Sequence, residues 1–220
     1  MTQRMDDGNG AQQHDRDLVG SGSHRSEAAR SQRMARDCVE LATALRVRIA
    51  VAESLTGGLA ASGLVSVPGA SAVFNGAIVA YNTELKYSLL QVDARLLDDH
   101  GPVHPRVAEL MARGVRDACA VGGHTVSIGL ATTGVAGPDP DEASGQPAGV
   151  VYLGVSSALG TRSVGLSLSG DRLAIREQTV RILFEELYDE LVAIDREVAA
   201  STGSHPIVPE PVDASDELQN

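Results

Sequence analysis

The chain switches between two hydrophobic periods, and each switch marks an element. Met34, Cys38, Leu41, Ala42 and Leu45 recur at the spacing of a helix with one apolar face. Val47-Arg48-Ile49-Ala50-Val51-Ala52 is short and β-branched, which predicts a strand. Glu53 to Gly58 reads as a turn, and Leu59 to Val65 as a helix of small residues. Val73 to Tyr81 predicts a buried strand and Glu84 to Leu90 a short helix. Val107, Leu110, Met111, Val115 and Ala118 trace one face of a longer helix, with Pro105 near its first turn. Thr125 to Ala131 predicts another strand, followed by a Gly/Pro/Asp-rich loop from Thr132 to Gly149. Val150 to Ser156 and Arg162 to Ser169 read as a β pair joined around Ala158-Leu159-Gly160. Ile175, Leu183, Leu187 and Leu191 place a last helix from about Asp171 to beyond Leu191. Early alternation of helix and strand, with a late hairpin, predicts an α/β domain whose mixed sheet is covered on both faces.

The two ends lack this patterning. Residues 1–35 are rich in Gly, Gln, Ser, Asp and Arg without an apolar period, and residues 199–220 combine Pro with acidic charge. Both are expected to be disordered tails around one folded unit, 36–198. The segment from Ser54 to Thr83 carries no charge and is long enough to span a bilayer. Its glycines, Pro68 and Asn75 argue instead for a buried helix–turn–strand passage, so no membrane association is expected.

Composition narrows the function. Across 220 residues the formal net charge is -11, and aromatic residues are only 3% with no Trp. An acidic chain with so few rings suits neither phosphate-backbone binding nor base stacking, so no nucleic-acid partner is expected. Cys38 and Cys119 are too few for a disulfide framework and fit a reducing, cytoplasmic setting.

Candidate chemistry gathers where strands end. In Ala52-Glu53-Ser54-Leu55-Thr56-Gly57-Gly58 a strand gives way to a hydroxyl on a turn and then to glycines opening a helix. A serine there is exposed as a nucleophile, and the amides of Gly57 and Gly58 are placed to hold an oxyanion or a phosphate. The same residues equally suit a plain helix cap. Neither a G-x-S-x-G elbow nor a P-loop is present. A serine nucleophile needs a base. His100 and His104 are separated by Gly101-Pro102 and so do not share a helical face, and no metal site is expected from them. Lys86 is the only lysine in the chain. Lysine can lose its proton when buried, whereas arginine cannot. The alternative is an ordinary surface lysine beside Glu84. Thr132-Thr133-Gly134 opens a flexible loop at a strand end, where ligands of α/β sheets gather, and a connecting loop explains it as well. Asp171 is placed to cap the last helix, and Arg172 to bind an anion or simply face solvent.

Taken in order, A-E-S-x-T-G-G from Ala52, P-G-A-S from Pro68, Y-N-x-E-x-K from Tyr81, T-G-V-A-G-P from Thr133, P-A-G-V-V-Y from Pro147 and G-D-R from Gly170 resemble the CinA C-terminal domain family. The resemblance runs from about Met34 to Leu191. It implies a three-layer α/β/α sandwich with a mixed, mostly parallel sheet, usually in a homo-oligomer. It also implies a cofactor-free amidohydrolase that converts nicotinamide mononucleotide and water to nicotinate mononucleotide and ammonia, in pyridine-nucleotide recycling. Ser54 is then the nucleophile, Lys86 its general base, and Tyr81 a hydroxyl assisting proton transfer. The substrate-binding residues are then Thr133 and Arg172, to which Thr56, Gly57, Gly58 and Gly134 are added as neighbours of the turn and loop. The chain departs from the family pattern at Leu55, at His104 and at Pro140-Asp141, which bears on substrate choice more than on chemistry. The competing readings are a catalytically silent nucleotide-binding or competence-linked module and an amidase for another small amide.

Overall fold

The computed structural model describes residues 11–142 and 144–208, with side chains from Glu27 onward. Its elements are α1 (Ala11–Leu45), β1 (Ile49–Glu53), α2 (Leu59–Val65), β2 (Phe74–Val79), α3 (Thr83–Leu90), α4 (Ala94–His100), α5 (Pro105–Ala118), β3 (Ile128–Gly134), β4 (Val150–Ser156), β5 (Thr161–Ser167) and α6 (Arg172–Thr202). The five strands form one sheet in the order β2-β1-β3-β4-β5. β1 pairs in parallel with β2 and β3, whereas β3–β4 and β4–β5 are antiparallel. Four of the five strands therefore run one way and β4 runs against them. Helical crossovers supply the parallel pairs, and a tight turn closed by Ser157 N–H on the Gly160 carbonyl (2.8 Å) supplies the hairpin.

Alternate residues of β1 divide the interior. Ile49 and Val51 point to the face covered by α1, α2 and α6, where Cys38, Leu64, Phe184 and Leu187 pack. Ala50 and Ala52 point to the other face, under α3, α4 and α5, with Leu90, Met111 and Val115. Small residues on that second face let α5 come very close to the sheet. A Cβ on Gly129 would stand 2.0 Å from the Ala112 carbonyl oxygen, and one on Gly154 would stand 2.1 Å from that of Ala108. Helix starts are capped by side chains: Asp171 accepts from Ala174 N–H at 2.8 Å, and the His104 ring accepts from Arg106 N–H at 3.1 Å, just before Pro105.

The structure corrects several expectations. Helix α1 extends back to Ala11 within the stretch expected to be a tail, and residues 1–10 lie outside the described residues. At the other end Val208 N–H donates to the buried Asp195 carboxylate at 2.9 Å, so the chain is tied back to α6 past residue 199. Residues 209–220 lie outside the described residues. β2 is half-buried because it is an edge strand. Helix α4 was not expected. β3 begins and ends about three residues later than the β-branched run indicated. His100 and His104 share no helix, as expected, yet their rings stack with centroids 5.0 Å apart because the chain turns at Gly101 between the two helices.

Candidate active site

The C-terminal ends of β1, β2 and β3 lie side by side at one edge of the sheet. From β1 the chain crosses to β2 on one side, and β3 flanks β1 on the other. Such a reversal of strand order leaves a crevice where ligands of α/β sheets bind. Ser54 directly follows β1, Ala80 and Tyr81 follow β2, and Thr132 to Gly134 end β3.

The turn that carries Ser54 is held from several directions. Glu53 is fully buried, and its carboxylate accepts from the N–H groups of Gly58 (2.9 Å), Ala60 (3.2 Å) and Ala61 (2.8 Å). Ser54 N–H donates to the Thr132 carbonyl at 3.0 Å. From α6, Arg176 donates through Nε to the Leu55 carbonyl (2.9 Å) and through Nη2 to the Thr56 carbonyl (2.8 Å).

Lys86 reaches this turn from α3. It is 1% exposed, among the largest fully buried side chains of the described residues. Its Nζ lies 3.1 Å from Ser54 Oγ and 2.7 Å from the Ala80 carbonyl oxygen. Ala80 N–H in turn donates to the Glu53 carbonyl at 2.8 Å, so the peptide after β2 links the lysine to the residue preceding the serine. Burial pulls the Lys86 pKa down to about 8, against a smaller upward pull from the Asp141 carboxylate.

A cavity of about 350 Å³ opens above this pair. Ser54, Lys86, Tyr81, Thr133, Gly134 and Arg172 all line it. Arg172 bridges two walls, donating to the Gly137 carbonyl at 2.8 Å and to the Tyr81 hydroxyl at 2.9 Å. Tyr81 is 61% exposed, so its hydroxyl sits at the mouth with Arg172 and not between Ser54 and Lys86. Thr133 spends its hydroxyl on the Pro102 carbonyl at 2.6 Å. Asp139, Asp141 and Glu142 add an acidic side to the cavity.

Three expected binding residues do not line it. Thr56 is fully buried with its hydroxyl on Thr132 Oγ1 at 2.8 Å. Gly57 N–H is committed to the Ser54 carbonyl at 3.1 Å, and Gly58 N–H to Glu53. The chain's own carboxylate occupies the helix start where an oxyanion or phosphate was expected. Glu53, Ala80 and Arg176 were not singled out from the sequence. A charged residue closing an apolar strand, and an arginine one helical turn after Arg172, are the signals that could have marked two of them.

The model of the CinA C-terminal domain matches residues 31–191. The chain belongs to the CinA C-terminal domain family. A CinA-like protein from Frankia casuarinae is 43% identical over 155 residues, which is 70% of this chain and 34% of that protein. A protein from a Geobacillus species, named as a putative competence-damage inducible protein, is 46% identical over 134 residues, 60% of this chain and 30% of that one. The chain thus spans about a third of the length of these curated relatives. Among solved structures, the competence/damage inducible protein CihA from Agrobacterium tumefaciens is 30% identical with a TM-score of 0.67, over 74% of this chain and 95% of that one. A CinA superfamily protein from Klebsiella pneumoniae superposes with a TM-score of 0.69 at 26% identity, over 74% and 98% of the two chains. The fold of these CinA-family structures is therefore shared. Within the described residues of this CinA domain, no group of three or more His, Cys, Asp or Glu side chains is placed to hold a metal ion. No helix among them is long and apolar enough to cross a membrane.

Proposed function

We propose that this CinA domain is a nicotinamide-nucleotide amidohydrolase that hydrolyses the carboxamide of nicotinamide mononucleotide to nicotinate mononucleotide and ammonia, as a cytoplasmic step of pyridine-nucleotide recycling. The observation that carries this reading is the chain's single lysine, buried, with its Nζ 3.1 Å from the hydroxyl of a serine that lines a cavity. A lysine whose hydrogen bonds run to a hydroxyl and a carbonyl is costly to bury in its charged form, and losing the proton relieves that cost. Neutral Lys86 keeps one N–H on the Ala80 carbonyl, and with its nitrogen 3.1 Å from Ser54 Oγ its lone pair is free to face that hydroxyl in place of the N–H that the charged amine donates there. The amine takes the hydroxyl proton as Oγ attacks the carboxamide carbon. The candidate donor to the tetrahedral oxyanion that results is the backbone N–H of Leu55, a residue that lines the same cavity. Collapse of the intermediate breaks the C–N bond, and the Lys86 ammonium returns its proton to the departing ammonia. Water then attacks the acyl-enzyme, giving its proton to Lys86, and Ser54 leaves as the hydroxyl.

The cavity suits this substrate in size and charge. Its volume lies within the range of small-ligand pockets, about 300–1,000 Å³. Nicotinamide mononucleotide carries a cationic ring beside the amide and a phosphate at its far end. Asp139, Asp141 and Glu142 complement the first, and Arg172 at the mouth complements the second. The test is ammonia release from nicotinamide mononucleotide by the purified chain, beside free nicotinamide and other small carboxamides. Preference for the nucleotide supports the reading. Turnover of another amide alone would replace the substrate. Nucleotide binding without any turnover would favour the silent binding module.

A further inference from the structure

We propose that Arg176 is a positioning residue for the Ser54 hydroxyl, forming with Glu53 an ionic clamp on the turn that bears the nucleophile. The proposal rests on the reading of Ser54 as the nucleophile. The segment from Leu55 to Ala61 offers carbonyls at its start and amides at its end. Arg176 takes the carbonyls of Leu55 and Thr56, and Glu53 takes the amides of Gly58, Ala60 and Ala61. A cation and an anion thus grip the same turn by opposite ends of its peptide dipoles. Bonds with an ionised partner are stronger than neutral ones. The planar fork matters as well as the charge, because Nε and Nη2 engage two successive carbonyls and a lysine ammonium cannot reproduce that spacing. The guanidinium lies directly against the turn: a Cβ on Gly57 would stand 3.4 Å from Arg176 Nη2.

Neither clamp residue lines the cavity, so neither touches substrate. Their effect passes through where Ser54 Oγ stands relative to Lys86 Nζ. Arg172, one turn earlier on α6, does line the cavity and holds Tyr81 and the Gly137 carbonyl. The first two turns of α6 therefore serve different purposes, the first at the substrate and the second at the nucleophile. Loss of the clamp lowers the rate of attack while leaving substrate affinity and the lysine's titration in place.

The experiment uses Arg176→Lys and Glu53→Gln in the full chain, with thermal melting to establish folding. Arg176→Gln, which keeps a donor, replaces the lysine variant if that one does not fold. Two readouts are taken. The first is covalent labelling of Ser54 by a fluorophosphonate, in which the Oγ–P bond forms, P–F breaks, fluoride leaves and the hydroxyl proton passes to Lys86. The second is kcat and KM for nicotinamide mononucleotide. The expected result for Arg176→Lys is a labelling plateau lowered about 30-fold, within the roughly 100-fold cost of an ångström-scale misplacement. Its pH midpoint stays near the wild-type value, kcat falls in parallel, and KM stays within about twofold. Glu53→Gln moves in the same direction. Labelling and kcat within twofold of wild type in the folded variants, or a loss residing in KM, would overturn the clamp. Wild-type protein that labels at Ser54 but leaves the nucleotide intact would overturn the substrate alone, and the labelling ratio would still judge the clamp. Wild-type protein that does not label at Ser54 would overturn the nucleophile and the clamp together.

Discussion

The floor and the mouth of the cavity are built on different physics. At the floor, Ser54, Lys86, Glu53 and Thr132 are buried, and each is bonded to backbone or to another member of the group. At the mouth, Tyr81 is largely exposed, and its hydroxyl and the Arg172 guanidinium hold each other across the opening. Buried polar groups without partners are expensive, so the floor has one arrangement. The mouth is in contact with water, so its side chains exchange partners cheaply. The difference assigns bond-making to the floor and recognition to the mouth, and it ranks the consequences of mutation.

Changes at the floor are the largest. Ser54→Ala and Lys86→Met are each expected to lower kcat for ammonia release by about 10³-fold or more, as for groups that act as one unit. Methionine keeps the buried stem of the lysine, so folding is retained. Equal activity of either variant with wild type would end the distinction between floor and mouth. The pH dependence belongs to the same wall. Activity rises as pH increases through about 8, because Lys86 must be neutral to accept the serine proton. Stability moves with it. Between about 8 and the ordinary lysine value of 10.5, the unfolded chain binds the proton that the folded chain has released, so unfolding free energy rises with pH in that window. The scale is about 1.4 kcal/mol for each unit of pKa difference. Chemical denaturation of wild type and Lys86→Met across that range checks the slope, which the methionine variant should lack.

Changes at the mouth are smaller and of another kind. Arg172→Ala is expected to raise KM about 10- to 100-fold with a lesser change in kcat, as loss of one charge-assisted contact to an anion implies. A fall in kcat alone would move Arg172 to the floor. Away from both, Gly129→Ala forces a methyl group against the α5 backbone and is expected to lower stability by about 1–3 kcal/mol, read by denaturant unfolding. The smallest effect is expected of Tyr81→Phe, within about fivefold in kcat, because its hydroxyl bonds Arg172 and neither Ser54 nor Lys86. A loss as deep as that of Lys86→Met would restore the proton-transfer role that the family resemblance implies for Tyr81.

The same contrast governs what was legible in the sequence. The amphipathic period of α5 and the β-branched run of β1 are strong local signals, and both elements stand where the pattern placed them. Ser54 and Lys86 stood out through position and rarity, one on a strand-to-helix turn and the other a lone lysine. Their adjacency depends on Ala80 and on the crossover from β2 into α3, which no local pattern encodes. Thr56, Gly57 and Gly58 read as a ligand cradle because a glycine-rich helix start is usually open. Here Glu53 fills it from the preceding strand, a contact across a turn that spacing alone cannot distinguish from a free N-terminus. The uncharged run through β2 suggested full burial, although an edge strand beside covering helices accommodates the same residues. Helix α4 escaped notice because Ala94–His100 offers too few apolar positions to show a period.

The central claim is that Lys86 is a buried amine that is poised to lose its proton next to Ser54. It is the only lysine in the chain, so ¹⁵N labelling of lysine gives a single side-chain Nζ signal that can be followed by NMR through a pH titration. The expected midpoint is near 8, with the transition perturbed in Ser54→Ala. A midpoint at the ordinary lysine value of 10.5, unaltered by removing the serine hydroxyl, would contradict it.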